Sequence, residues 1–80
     1  MKLPRDFDGD DLIGALGRIG YTPTRQVGSH IRLTFSGPPE HHVTVPNHHP
    51  VRVGTLEAIL ADVAERRGIA KTELIALLSG

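Results

Sequence analysis

The sequence predicts an α+β fold: a two-layer sandwich in which a three-stranded antiparallel sheet carries helices on one face, in the order α-β-β-β-α-α. Two central segments, His30 to Ser36 and His41 to Pro46, alternate apolar and polar residues with period two, as half-buried antiparallel strands do. The flanking segments instead repeat their apolar residues at three- and four-residue spacing, the period of an amphipathic helix. Eighty residues suffice for one core and leave no room for a second, so residues 1–80 form a single domain with its core at about 8–78.

The first helix follows Asp8. Asp8 and Asp11 have the spacing of a capping box, with Asp in place of the usual Glu or Gln, and Phe7 and Leu12 stand where a hydrophobic staple would put them. Leu12, Ile13, Leu16 and Ile19 mark its apolar face, and Gly20 is a natural stop. Gly14 and Gly17 each weaken the helix by roughly 1 kcal/mol relative to Ala, which points to close packing there. Tyr21 to Val27 reads as a strand that Pro23 pushes toward a sheet edge. Gly28-Ser29 is a tight turn into the second strand, where Ile31, Leu33 and Phe35 share one face and His30, Arg32 and Thr34 the other. After the loop Gly37-Pro38-Pro39-Glu40, the third strand turns Val43 and Val45 to the apolar side. A second loop spans Asn47 to Val53. The second helix opens near Gly54-Thr55, buries Leu56, Ile59, Leu60 and Val63, and ends at Arg66-Arg67-Gly68. A short third helix, Lys71 to Leu78, shows Leu74, Ile75 and Leu78 to the core. This order is that of the double-stranded-RNA-binding-domain-like fold, and fold alone does not give function.

Composition narrows the possibilities. With no Trp and only Phe7, Tyr21 and Phe35 as aromatics, the core is expected to be aliphatic, built from Leu, Ile and Val. No cysteine is present, which excludes thiol chemistry and Cys-based zinc sites and leans toward a reducing, cytoplasmic setting. The N-terminus lacks the apolar run of a signal peptide, and no stretch approaches the ~20 apolar residues of a membrane span. Nine basic and nine acidic residues cancel, yet their distribution is uneven. Between residues 18 and 52 stand Arg18, Arg25, Arg32 and Arg52 against the single acid Glu40, together with all five histidines. A neutral whole can therefore carry a positive face, more so once imidazoles are protonated.

That face has a specific chemical use. Pairing the second and third strands so that both apolar sets coincide allows only alternate registers, and these place His30 opposite Pro46 or His48. His30 and Arg32 then stand on the solvent side of the sheet, residues 42 to 48 supply further imidazoles, and Arg25 of the neighbouring strand can join them. Metal-free RNA cleavage needs a base for the 2′-hydroxyl proton, an acid for the leaving 5′-oxygen, and positive charge or N–H donors for the phosphate. Histidine serves as either acid or base near neutral pH. The guanidinium fork matches phosphate oxygens, and the backbone around Gly28 and Ser29 can approach a phosphate closely. Two other readings are weaker. The pairs His41-His42 and His48-His49 suggest a metal, but adjacent strand residues point to opposite faces and do not chelate easily. Ser29 as a nucleophile lacks clear Ser-His-Asp company.

The segment Arg25-Gln26-Val27-Gly28-Ser29-His30 resembles the Arg-x-x-Gly-Ser-His segment of HicA-type (YcfA-like) toxins. The strand end Val43-Thr44-Val45-Pro46, the helix opening Gly54-Thr55-Leu56 with Ile59-Leu60 after it, and the preceding Gly20-Tyr21 also fit that family in order and separation. The resemblance covers roughly residues 10 to 78. It implies a ribosome-independent mRNA interferase, an endoribonuclease working without metal or cofactor, and a cognate HicB-like antitoxin that masks the active site. It implies His30 as the catalytic residue, presented by the turn Gly28-Ser29. Arg25, Arg32 and His48 are candidates for RNA and phosphate binding on geometric grounds alone. Two features depart from many family members: the neutral charge, and Ile31 where a second His often follows the first. The alternative is a non-catalytic RNA- or protein-binding module with the same fold.

Overall fold

The computed structural model describes residues 8–79. The elements follow the expected order: α1 (Gly9–Arg18), β1 (Tyr21–Val27), β2 (His30–Phe35), β3 (His41–Pro46), α2 (Val53–Arg67) and α3 (Lys71–Ser79). The strands form one antiparallel sheet in the order β1-β2-β3, so β1, with its Pro23, is an edge strand. The core gathers Leu12 and Leu16 of α1, Leu33, Val43 and Val45 of the sheet, Leu56, Leu60 and Val63 of α2, and Leu74 and Leu78 of α3. Every one of them sits at the helical or strand spacing that the alternation demands, and together they fill the space between the helices and one face of the sheet. The opposite face is left to water.

Helix ends show why the chain turns where it does. Gly20, at φ 104°, takes the left-handed conformation that follows α1, and Gly68, at φ 67°, does the same for α2. Two long arginines complete these ends. Arg67 Nη1 donates to the carbonyl of Ile19 at 3.0 Å while its guanidinium lies 4.1 Å from the centre of the Phe35 ring. Arg18 Nη2 donates to the carbonyl of Leu78 at 2.6 Å. These side chains tie α1, α2 and α3 to one another through backbone groups that a helix end leaves unpaired.

Several local expectations are corrected. Asp8 occupies the N-cap of α1, but its side chain makes no capping hydrogen bond, so the capping box is not formed. Its carboxylate instead faces His49 Nδ1 at 3.4 Å. The staple through Phe7 lies outside the described residues. Gly14 and Gly17 are exposed, and a Cβ at either would meet nothing within 4 Å, so close packing does not explain them. Gly9 is the glycine of α1 that packs closely: a Cβ there would stand 2.6 Å from the Cα of Asn47. The second helix starts at Val53, a residue ahead of Gly54.

The core is not purely aliphatic either. Tyr21 is fully buried, and His41 is 6% exposed beside it. Tyr21 O–H lies 2.7 Å from His41 Nδ1, and His41 Nε2 lies 3.1 Å from an Asp62 carboxylate oxygen. The carboxylate can only accept, so Nε2 carries a proton, and in that tautomer Nδ1 accepts from the tyrosine hydroxyl. Burial raises the pKa of Tyr21 above its ordinary value of 10.0, with Asp62 acting in the same direction and Arg67 and Arg66 against it.

Candidate active site on the open face of the sheet

The pairing of β2 with both neighbours decides which side chains meet on the wet face. Val27 and Pro46 stand opposite His30, and Arg25 and Thr44 stand opposite Arg32. The His30–Pro46 pairing is one of the two registers expected from the alternation. Arg25, Val27, His30, Arg32 and Thr44 line a shallow groove of about 210 Å³.

Arg25 reaches this groove through a defect in its strand. Strict alternation from the buried Tyr21 would send residues 23, 25 and 27 toward the helices. Pro23 obeys, opposite Leu33, but the next paired residue is Arg25, opposite Arg32. Thr24 is thus an extra residue, a β-bulge, and it inverts the parity of the strand. Arg25 and Val27 thereby join His30 and Arg32 on the open side. The bulge is held in place by Thr24 Oγ1, 2.8 Å from Thr34 Oγ1 and 3.4 Å from the carbonyl oxygen of Arg32.

The turn before His30 is built for its conformation. Gly28 sits at φ 59°, where L side chains are strained, although a Cβ would meet only open space. Ser29 is tied to the far loop. Its carbonyl accepts from the backbone N–H of Asn47 at 2.7 Å, and its hydroxyl lies 3.4 Å from His48 Nε2. The loop is in turn fixed to the start of α1. Gly9 N–H donates to the carbonyl of His48 at 2.9 Å, and Asn47 Nδ2 donates to the Asp10 carboxylate at 3.0 Å. His48 therefore sits beside Ser29, next to the groove and not in its lining.

The remaining imidazoles are divided. His42 is opposite Thr34, with Nδ1 2.9 Å from the Thr34 hydroxyl and Nε2 3.5 Å from Glu40. It lies toward the other end of the face, away from His30. His41 points into the core. Among the described residues, no three His, Cys, Asp or Glu side chains are grouped as metal ligands would be. No helix among the described residues is long and apolar enough to cross a membrane.

Positive charge is unevenly employed. Arg18 and Arg67 cap helices, Arg66 lies 3.9 Å from Asp62, and Lys71 lies 3.3 Å from Glu57. The guanidinium groups of Arg25 and Arg32, among the described residues, have no ion pair or hydrogen bond, and they face the same groove as His30. Residue-by-residue reading of the sequence missed Thr44 and Val27 as lining residues. Thr44 was accessible from the alternation of Val43 and Val45, whereas Val27 was hidden by the bulge.

A family model described as the HicA toxin of bacterial toxin-antitoxin matches residues 9–64. The chain belongs to the HicA toxin family. The matched span runs from the first residue of α1 through most of α2, and so includes the whole sheet and the groove. Among curated proteins and solved structures nothing matches the chain. Membership of the HicA family makes this chain the toxin side of a toxin–antitoxin pair and implies an antitoxin as its partner.

Proposed function

We propose that this HicA-family toxin is a metal-independent endoribonuclease of the cytoplasm that cleaves single-stranded mRNA in the groove around His30, and that a HicB-like antitoxin restrains it. The observation carrying this reading is the coincidence of one exposed imidazole and two unpaired guanidinium groups in a single groove. RNA can break its own backbone when the ribose 2′-oxygen attacks the adjacent phosphorus. The 2′-O–P bond forms, the P–O5′ bond breaks, the 2′-hydroxyl loses a proton and the 5′-oxygen gains one. His30 serves as general base or general acid in that exchange, and the open groove lets water complete the other proton transfer.

Arg25 and Arg32 flank the imidazole and hold the bound phosphate through its non-bridging oxygens. The backbone N–H groups of the Gly28-Ser29 turn add donors close to the same place. His48, beside Ser29, contacts the RNA flank. Val27, 63% exposed, offers an apolar surface against which a base can rest.

Expression of the full chain in a host lacking an antitoxin tests the reading. Growth arrest with degradation of mRNA, relieved by His30→Ala, is the expected outcome. Growth arrest that persists unchanged in His30→Ala would assign toxicity to binding instead of catalysis, the reading that the neutral net charge favours.

A further inference from the structure

The two edges of the sheet are unlike. The β1 edge carries Pro23 and the bulge at Thr24, both of which discourage a further strand from pairing. The β3 edge has neither within His41–Val45, and β3 pairs only with β2. Its backbone direction follows from the ladder. The N–H of Asn47 donates to Ser29, so by the alternation of antiparallel pairs Val45, Val43 and His41 bond inward to β2. His42 and Thr44 then direct their N–H and C=O groups outward. Pro46, which has no N–H to give, falls on the outward phase, and its carbonyl accepts from His48 instead of from β2.

Beside this free edge lies a groove of about 480 Å³, with β3 on one side and Gly54, Thr55, Ala58, Ile59 and Asp62 of α2 on the other. Gly54 and Ala58 leave room for larger side chains, and a Cβ on Gly54 would meet nothing within 4 Å. Thr44 lines both this groove and the one around His30.

We infer that the antitoxin docks by adding an extended segment to the outer edge of β3, through main-chain hydrogen bonds to His42 and Thr44. This rests on the toxin reading proposed above. The segment carries apolar side chains toward Gly54 and Ala58 and a Lys or Arg toward the Asp62 carboxylate, the one acid of the groove. A second copy of this chain is the poorer occupant, because its own β3, His-His-Val-Thr-Val-Pro, brings no Lys or Arg to Asp62. An added strand stands about 4.8 Å from β3, next to Thr44, and its other face continues the open face of the sheet. From there its side chains reach over the His30 groove, so a partner held at the edge also obstructs RNA.

The test uses the full chain co-expressed with the product of the reading frame adjacent to its own. Ala58→Arg places a bulky cation in the groove at an exposed helix position, and Ala61→Arg, exposed on α2 outside the groove, is the control. The expected result is a complex in which the amides of His42 and Thr44 become protected from hydrogen exchange. Ala58→Arg should weaken it about tenfold or more while Ala61→Arg does not. Absence of a complex, unprotected amides at these two positions, or equal affinity of Ala58→Arg and wild type overturns the inference. So does a stable dimer of the chain that buries this edge and excludes the partner. RNA cleavage, measured on uncomplexed Ala58→Arg, should match wild type. Loss of cleavage in wild type itself would instead defeat the nuclease reading, and complex formation reads out independently of it.

Discussion

Tyr21 and His41 place a polar chain inside a small core, and the stability of the domain should depend on it. Tyr21→Phe removes the O–H and leaves His41 Nδ1 buried without its donor, which should cost about 1–3 kcal/mol in denaturant unfolding. The pH dependence follows from the raised pKa of Tyr21. Between its ordinary value of 10.0 and its higher folded value, the unfolded chain has lost the phenolic proton while the folded one retains it. The unfolded state then binds fewer protons, so stability should fall as pH rises above that ordinary value. Because this is the chain's single tyrosine, tyrosinate absorbance titrates it alone, and Tyr21→Phe should abolish this part of the alkaline destabilisation. In the groove the two arginines should behave differently from His30. Arg25→Ala and Arg32→Ala should mainly raise KM, and Arg→Lys at either position should restore less than full binding because an ammonium cannot grip phosphate with two parallel bonds. Equal loss of kcat in all three variants would argue against that division of labour.

The elements were legible where periodicity governed them. All three strands and the buried stripes of the helices follow from spacing of two or of three to four, and the stops at Gly20 and Gly68 from glycine itself. Alternation narrowed the register to two, of which His30–Pro46 is the one formed, because one buried face leaves few alternatives. The bulge was not legible, since nothing in Pro23-Thr24-Arg25 announces an extra residue. Yet it alone moves Arg25 into the groove. Gly9 was also missed. Its role arises from a tertiary approach to Asn47 that no local pattern records, whereas the attention that Gly14 and Gly17 drew was misplaced. Gly9→Ala should drive a methyl into the Asn47 backbone and destabilise the fold by about 1–3 kcal/mol, readable as a lower midpoint of unfolding. Gly14→Ala, in open space, should do the opposite by a few tenths to about 1 kcal/mol. His41 was not singled out as a core residue, for a different reason. The parity shared with Val43 and Val45 placed it on the core face, but a histidine reads as polar until its partners are known.

Across the whole molecule, a net charge of zero coexists with a usable positive site because Arg25 and Arg32 face the groove while Arg18, Arg67 and Lys71 are engaged elsewhere in holding helices together. Affinity for RNA should then be modest and only mildly salt-dependent. With two phosphate-directed arginines, the slope of log K against log salt for single-stranded RNA is predicted to be about −1.4, falling to about −0.7 when Arg25 or Arg32 is removed. Binding by the His30→Ala variant, which should not consume its ligand, checks this. Of the candidate site, His30 and Arg32 were legible because strand alternation and the Gly28-Ser29 turn fix where those side chains stand, whereas Arg25 reaches the groove only through the bulge. The open edge of β3 was not legible, because edge and centre strands share one pattern of alternation. The central claim is catalysis by His30, and single-turnover cleavage of single-stranded RNA in EDTA tests it most directly. Wild type should cleave, and a folded His30→Ala should be slower by about 10²- to 10⁴-fold. Cleavage by His30→Ala at the wild-type rate would contradict the account.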